Sequence, residues 1–184
     1  MKEYLGVLMP LLRGGSAYFD GQEYSVRGVQ FSVPEAKDVP VVIAALGSQI
    51  LKLAADMVDG TNTWMVGPNT MEQHILKAFE DAGKSNPTIV AGLPIVLTNN
   101  IDAARESIAK NLTVYGRLPS YRAVLDREGV EGPADLALVG DENQLFGQIK
   151  RFADMGVTDF NAIIMGVEEG AHDRTLEFLG SLKT

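Results

Sequence analysis

The chain contains no cysteine, which excludes disulfides, thiolate metal sites and cysteine nucleophiles. No apolar run is long enough to span a bilayer, and the first residues, MKEYLGVLMPLL, lack the small-residue cleavage site and polar region of a signal peptide. The expectation is a soluble cytoplasmic protein without a membrane partner. Positive charge is scarce: 16 Lys and Arg stand against 24 Asp and Glu, for a formal net charge of −8 and a pI near 4.7. A general nucleic-acid binder carries the opposite bias, so none is expected. Histidine is also rare. His74 falls inside a predicted surface helix and reads as solvated, and His172 sits beside Asp173 and Arg174, where capping of the last helix is its expected role. The acids are scattered on helix faces rather than grouped at ligand spacing, so no metal is expected. Neither a P-loop nor a GxGxxG run occurs.

What is present is apolar and periodic. With 184 residues and 46% hydrophobic content, the chain can bury the core of one domain, expected to span residues 1–184. A helix over residues 3–12 is followed by a hairpin around Asp20-Gly21 and a connector over Gly28–Asp38. Strands are predicted at Val39–Ala45, Thr61–Val66, Thr88–Thr98 and Phe160–Met165. Pro94 inside the third argues for a bulge, a strand end or an edge. Helices are predicted after Gly47-Ser48, over residues 70–82 with a Thr70/Gln73 capping box, and from Asn99-Asn100 to about Tyr115. Further helices are predicted over Pro119–Arg127, from Asp141, capped with Gln144, to Met155, and over Asp173–Leu182. Strands that alternate with helices argue for βαβ units and a parallel sheet.

The run VPVVIAALGSQILKLAADMVDG, Val39 to Gly60, concentrates the chemistry. A helix that begins directly after a strand points unpaired N–H groups outward with the positive end of its dipole behind them, a ready seat for phosphate or carboxylate. Gly47 reads either as a simple turn glycine or as a missing side chain that lets a ligand reach the N–H groups of Ser48, Gln49 and Ile50, with the Ser48 hydroxyl as an extra donor. Trp64, at the C-terminal end of a strand, could line a pocket mouth or pack beneath a helix.

The run VPVVIAALGSQILKLAADMVDGTNTWMVGPNT, with AGLPIVLTNNIDAARE, YGRLPSYRAVLDREGVEGPADLALVGDE and ADMGVTDFNA, resembles the C-terminal half of luciferase-like flavin-type oxidoreductases. The likeness is greatest to the branch that uses the deazaflavin coenzyme F-420. Motifs in the right order cover nearly the whole chain, including the opening helix and the FDGQEY hairpin.

The resemblance implies an α/β fold: strands five to eight of a (β/α)8 barrel, a half TIM barrel with parallel strands and a β-hairpin insertion. It implies hydride transfer between F-420, or alternatively FMN, and an organic small molecule. The chain is expected to be half of such an enzyme, beginning at an internal methionine, and no catalytic residue is assigned. The family's cofactor turn corresponds to Leu46, Gly47, Ser48, Gln49 and Ile50. Where the family commonly has Gly-Pro-Arg or Gly-Pro-Lys, this chain has Gly47-Ser48-Gln49: serine restores an N–H and adds a hydroxyl, and Gln49 removes a positive charge. Two open apolar strand edges then invite association, either as a homo-oligomer or with a complementing N-terminal half.

Overall fold

The computed structural model describes residues 1–35 and 37–182; Ala36 of the expected connector lies outside them. The helices are α1 (Lys2–Leu12), α2 (Ser48–Met57), α3 (Pro68–Thr70), α4 (Lys77–Asp81), α5 (Ile101–Asn111), α6 (Pro119–Glu128), α7 (Glu142–Met155) and α8 (Ala171–Ser181). The strands are β1 (Ser16–Asp20), β2 (Ser25–Gln30), β3 (Val42–Ala44), β4 (Gly60–Trp64), β5 (Thr88–Leu97), β6 (Leu138–Gly140) and β7 (Asp159–Ile164). Two compact units result, Met1–Thr61 with Ala78–Thr88, and Asn62–Lys77 with Ile89–Thr184.

In the first unit the Asp-Gly turn produces the expected antiparallel hairpin of β1 and β2. It is latched to α1 by one side chain. The Glu3 carboxylate accepts the N–H groups of Gln22, Glu23 and Tyr24 at 3.1, 2.8 and 3.1 Å. Those backbone donors hold its carboxyl below the usual carboxylate range. A side chain at Gly21 would collide with that carboxylate, since an added Cβ would lie 2.5 Å from Glu3 Oε2. Strand β3 is shorter than the predicted Val39–Ala45 because the N–H of Val41 leaves the ladder and donates to Asp59 at 2.7 Å. Asp59 is fixed in turn by two bonds from Arg13, at 2.9 and 2.7 Å. Helix α2 follows with Leu51, Ala54 and Ala55 buried.

The second unit is organised on β5, in which residues from Ala91 to Val96 are buried on both faces. That is the signature of a central parallel strand. It pairs in parallel with β7 through Val90–Ile95 and with β6 through Ile95–Leu97. Two sequence expectations are corrected here. The three-residue β6, too short to show a period, was not foreseen, so the larger sheet has five strands rather than four. Pro94 lies at no bulge, end or edge; it is buried within β5, in register with Ile163. The alternation of the ladder accounts for it. The carbonyl of Gly92 accepts from Met65, the N–H of Thr98 donates to the carbonyl of Gly140, and the carbonyl of Ile95 accepts from Met165 on the opposite side. Pro94 therefore faces the place where the ladder passes from β4 to β6, and its missing N–H costs no bond.

The predicted helix over 70–82 is also revised. It begins earlier, at Pro68, and runs through a π-helical stretch, Met71–Leu76, before α4. The expected Thr70 cap does not form, because the acceptor comes from elsewhere: the Glu128 carboxylate takes the N–H groups of Asn69 and Thr70 at 3.2 and 2.5 Å. The other two caps form as read. Asn100 accepts from Ala103, and Asp141 and Gln144 make a reciprocal capping box at 2.9 Å each way. Helix α5 stops at Asn111, short of Tyr115, where tight turns take over. Strand β7 has an alternating exposed and half-buried pattern and pairs only with β5 among the described residues, so it is an edge.

Candidate functional site

The turn after β3 is built as its sequence suggests. Gly47 is the N-cap of α2 with φ −85° and ψ 151°, and no side chain caps the helix. The carbonyl of Gly47 accepts the N–H of Leu51 at 3.0 Å. The N–H groups of Ser48, Gln49 and Ile50 have no acceptor among the described residues, as the geometry of a first helical turn requires. Leu46 and Ile50 are half-buried and flank Gly47, Ser48 and Gln49, which are exposed. Neither backbone strain nor crowding accounts for the glycine: its φ is one any residue adopts, and an added Cβ would meet nothing within 4 Å. What the turn offers is open space over three free N–H donors, one hydroxyl and the positive end of a ten-residue helix.

Trp64 belongs to the second unit and closes β4. The segment that follows it concentrates irregularity. Met65 is buried at φ 54°, a left-handed conformation that a non-glycine residue holds only when its surroundings impose it. Trp64 Nε1 and Thr70 Oγ1 are both buried without a hydrogen-bond partner among the described residues. The π-helical stretch then begins at Met71, and within it His74 is half-buried rather than fully solvated. Trp64 meets Tyr115 edge to face, with centroids 6.0 Å apart and planes at 70°, and Tyr115 meets Tyr121 in the same manner at 4.9 Å and 83°. Burial, and after it the negative charge of an ionised Tyr115, push the Tyr121 hydroxyl above the usual phenol range. Sequence reading missed both tyrosines; the aromatic spacing in YGRLPSY was the available signal.

A cavity of about 510 Å³ opens where β5 and β6 end, lined by Thr98, Asn99, Asn100, Asp141, Glu142, Glu168 and Arg174 among others. Its polar groups are largely paired. Glu168 accepts from Thr98 Oγ1 at 3.0 Å and from Arg174 at 2.6 Å, and Thr98 Oγ1 accepts the N–H of Asn100 at 3.1 Å. His172 contacts Asp173 at 3.2 Å in the exposed first turn of α8. Among the described residues no group of three or more His, Asp or Glu is placed to hold a metal ion, and no helix is long and apolar enough to cross a membrane.

A mostly parallel sheet with helices after its strands defines an α/β protein. The family model for luciferase-like monooxygenases matches residues 1–159, and the chain belongs to that family, as the sequence resemblance implied. Among solved structures, one similar chain is an F-420-dependent secondary alcohol dehydrogenase in complex with an F-420–acetone adduct. The TM-score is 0.73 at 17% identity, covering 99% of this chain and 61% of that one. Another is the coenzyme F-420-dependent tetrahydromethanopterin reductase of Methanopyrus kandleri, with a TM-score of 0.73, 18% identity and coverage of 96% and 59%. A third is the oxygenating constituent of 3,6-diketocamphane monooxygenase of Pseudomonas putida in complex with FMN, at TM-score 0.60, 12% identity and coverage of 98% and 60%. At these identities the likeness is one of fold. The chain spans between 59% and 61% of the length of these relatives.

Proposed function

We propose that this chain is part of an oxidoreductase that moves a hydride between coenzyme F-420, or alternatively FMN, and a small organic substrate. The cofactor's phosphate sits on the turn Leu46, Gly47, Ser48, Gln49 and Ile50, and Trp64 lines the substrate pocket. The observation that carries the reading is Gly47: its backbone is ordinary and its surroundings are empty, so the absent side chain is of use to a ligand rather than to the fold. The similar solved structures named above, two F-420-dependent enzymes and one complex with FMN, support the choice of cofactor. On this reading residues 1–184 form one domain, strands five to eight of a (β/α)8 barrel. It works in the cytoplasm as a homo-oligomer or with a complementing N-terminal half that pairs with the edges left by β3 and β7.

The test is titration of the purified protein with F-420 and with FMN, followed by assay of hydride transfer from any cofactor that binds. Saturable binding that Gly47→Val abolishes without lowering the melting temperature supports the seat; failure to bind either cofactor overturns it. A second reading, a non-catalytic binder or inert fragment, is favoured by Gln49, which supplies no charge where the family commonly carries a cation. Binding without transfer, both alone and with an N-terminal half supplied, supports that alternative.

A further inference from the structure

The surroundings of Trp64 hold an unmet chemical demand. Its indole Nε1 is buried and has no acceptor among the described residues, although an indole N–H has no role but to donate. Buried donors are almost always paired, so one left without a partner calls for an explanation. Tyr115, whose ring meets that of Trp64 edge to face, stands on the turn between α5 and α6. That turn is held by backbone bonds, Tyr115 N–H to Leu112 at 3.0 Å and Arg117 N–H to Val114 at 3.1 Å, and by the Thr113 hydroxyl, which donates to the carbonyls of Ala109 at 2.8 Å and Lys110 at 3.0 Å. Neither Tyr115 nor Tyr121 makes a side-chain hydrogen bond among the described residues, so Tyr115 can rotate off the indole without breaking one. Val114 and Leu118 of the same turn are 56% and 40% exposed, which leaves apolar surface beside the rings.

We infer that Trp64, Tyr115 and Tyr121 form a binding site for a planar aromatic molecule that carries a hydrogen-bond acceptor, such as an aryl ketone or amide. The ligand displaces the Tyr115 ring, takes its place between Trp64 and Tyr121, and accepts the indole N–H through its carbonyl oxygen. Planarity is required because the space to be filled is that of a phenol ring held edge to face on both sides. The acceptor is required because Nε1 is otherwise orphaned. This rests on the proposal that Trp64 is a pocket residue, but not on the cofactor seat, and it names the substrate class of that pocket.

Trp64 is the chain's single tryptophan, so its fluorescence reports the site without interference. Benzamide serves as the probe, in the absence of any cofactor, with cyclohexanecarboxamide as the control that keeps the acceptor and loses the plane. Benzamide is expected to shift the Trp64 emission to the red saturably, with the cyclohexyl amide about tenfold weaker, near the upper limit for one aromatic contact. Tyr115→Ala is expected to show a red-shifted emission before ligand is added. Tyr115→Phe, which keeps the ring and loses an unused hydroxyl, is expected to behave as wild type in both respects. An emission that does not respond to benzamide, equal affinity for the two amides, or a Tyr115→Phe variant that no longer responds overturns the inference. Cofactor binding at Gly47 is read separately, so loss of this site and loss of the hydride-transfer proposal are distinguishable.

Discussion

Glu128→Ala tests how the segment beyond Trp64 is held. In the native chain one carboxylate on α6 accepts two N–H groups at the start of α3, from Asn69 and from Thr70. The two bonds are not equivalent. Asn69 is exposed, so its N–H regains water when the acceptor is removed, whereas Thr70 is 1% exposed and its N–H does not. Leaving one buried donor unpaired costs about 1–3 kcal/mol. In a chain of this size each 1 kcal/mol lowers Tm by roughly 2–4 °C, so Glu128→Ala should melt roughly 2–12 °C below wild type. Glu128→Gln keeps a neutral acceptor at about half the strength and should fall between the two. Gly67→Ala should reproduce part of the loss without touching either partner, because its new Cβ would lie 2.5 Å from the Glu128 carboxyl carbon. Calorimetry of the variants checks the order. A Glu128→Ala protein within about 1 °C of wild type, or a Glu128→Gln protein less stable than it, refutes the assignment of this contact as the cap.

Other expectations follow from single side chains. Gln49→Arg should tighten binding of F-420 or FMN by about tenfold, the gain of a charge-assisted bond to phosphate over a neutral one, as measured by equilibrium titration. The lowered pKa of Glu3 means that the folded hairpin favours the ionised form. Its contribution is full above the unfolded value of about 4.3 and is lost as pH falls through the lower folded value. Amide exchange at Gln22, Glu23 and Tyr24 should therefore accelerate, beyond its intrinsic pH dependence, only in acid. Glu3→Gln should remove that acid transition, and a transition that survives the substitution counts against the latch.

Much of the fold was legible because it is written in local periodicity. The helix after Gly47-Ser48, the Asp-Gly hairpin and the caps at Asn100 and Asp141 are decided within a few residues, and each stands where the sequence places it. What escaped depends on distant partners. A three-residue strand such as β6 has no period and exists only because Ile95–Leu97 of β5 offers a ladder. Pro94 reads as a strand breaker until the ladder is seen to change partners at that position. Thr70 reads as a cap until Glu128, far along the chain, takes the donors. In the candidate site the Gly47 turn was visible as a strand-to-helix junction, and Trp64 as a strand end. The spacing of the two tyrosines in YGRLPSY signals their nearness to each other, but the contact of Tyr115 with Trp64 was not visible, because stacking between separate segments leaves no mark in sequence spacing.

The central claim is that a cofactor phosphate sits on the first turn of α2, and the amide resonances of that turn test it most directly. Titration of isotopically labelled protein with F-420, observed by amide correlation spectroscopy, should move the signals of Ser48, Gln49 and Ile50 first and furthest, downfield as each N–H gains an anionic acceptor. Gly47→Val should abolish those shifts while leaving the rest of the spectrum in place. Resonances of Ser48, Gln49 and Ile50 that stay fixed while others respond, or that do not move at saturating cofactor, would contradict the assignment of this turn as the seat.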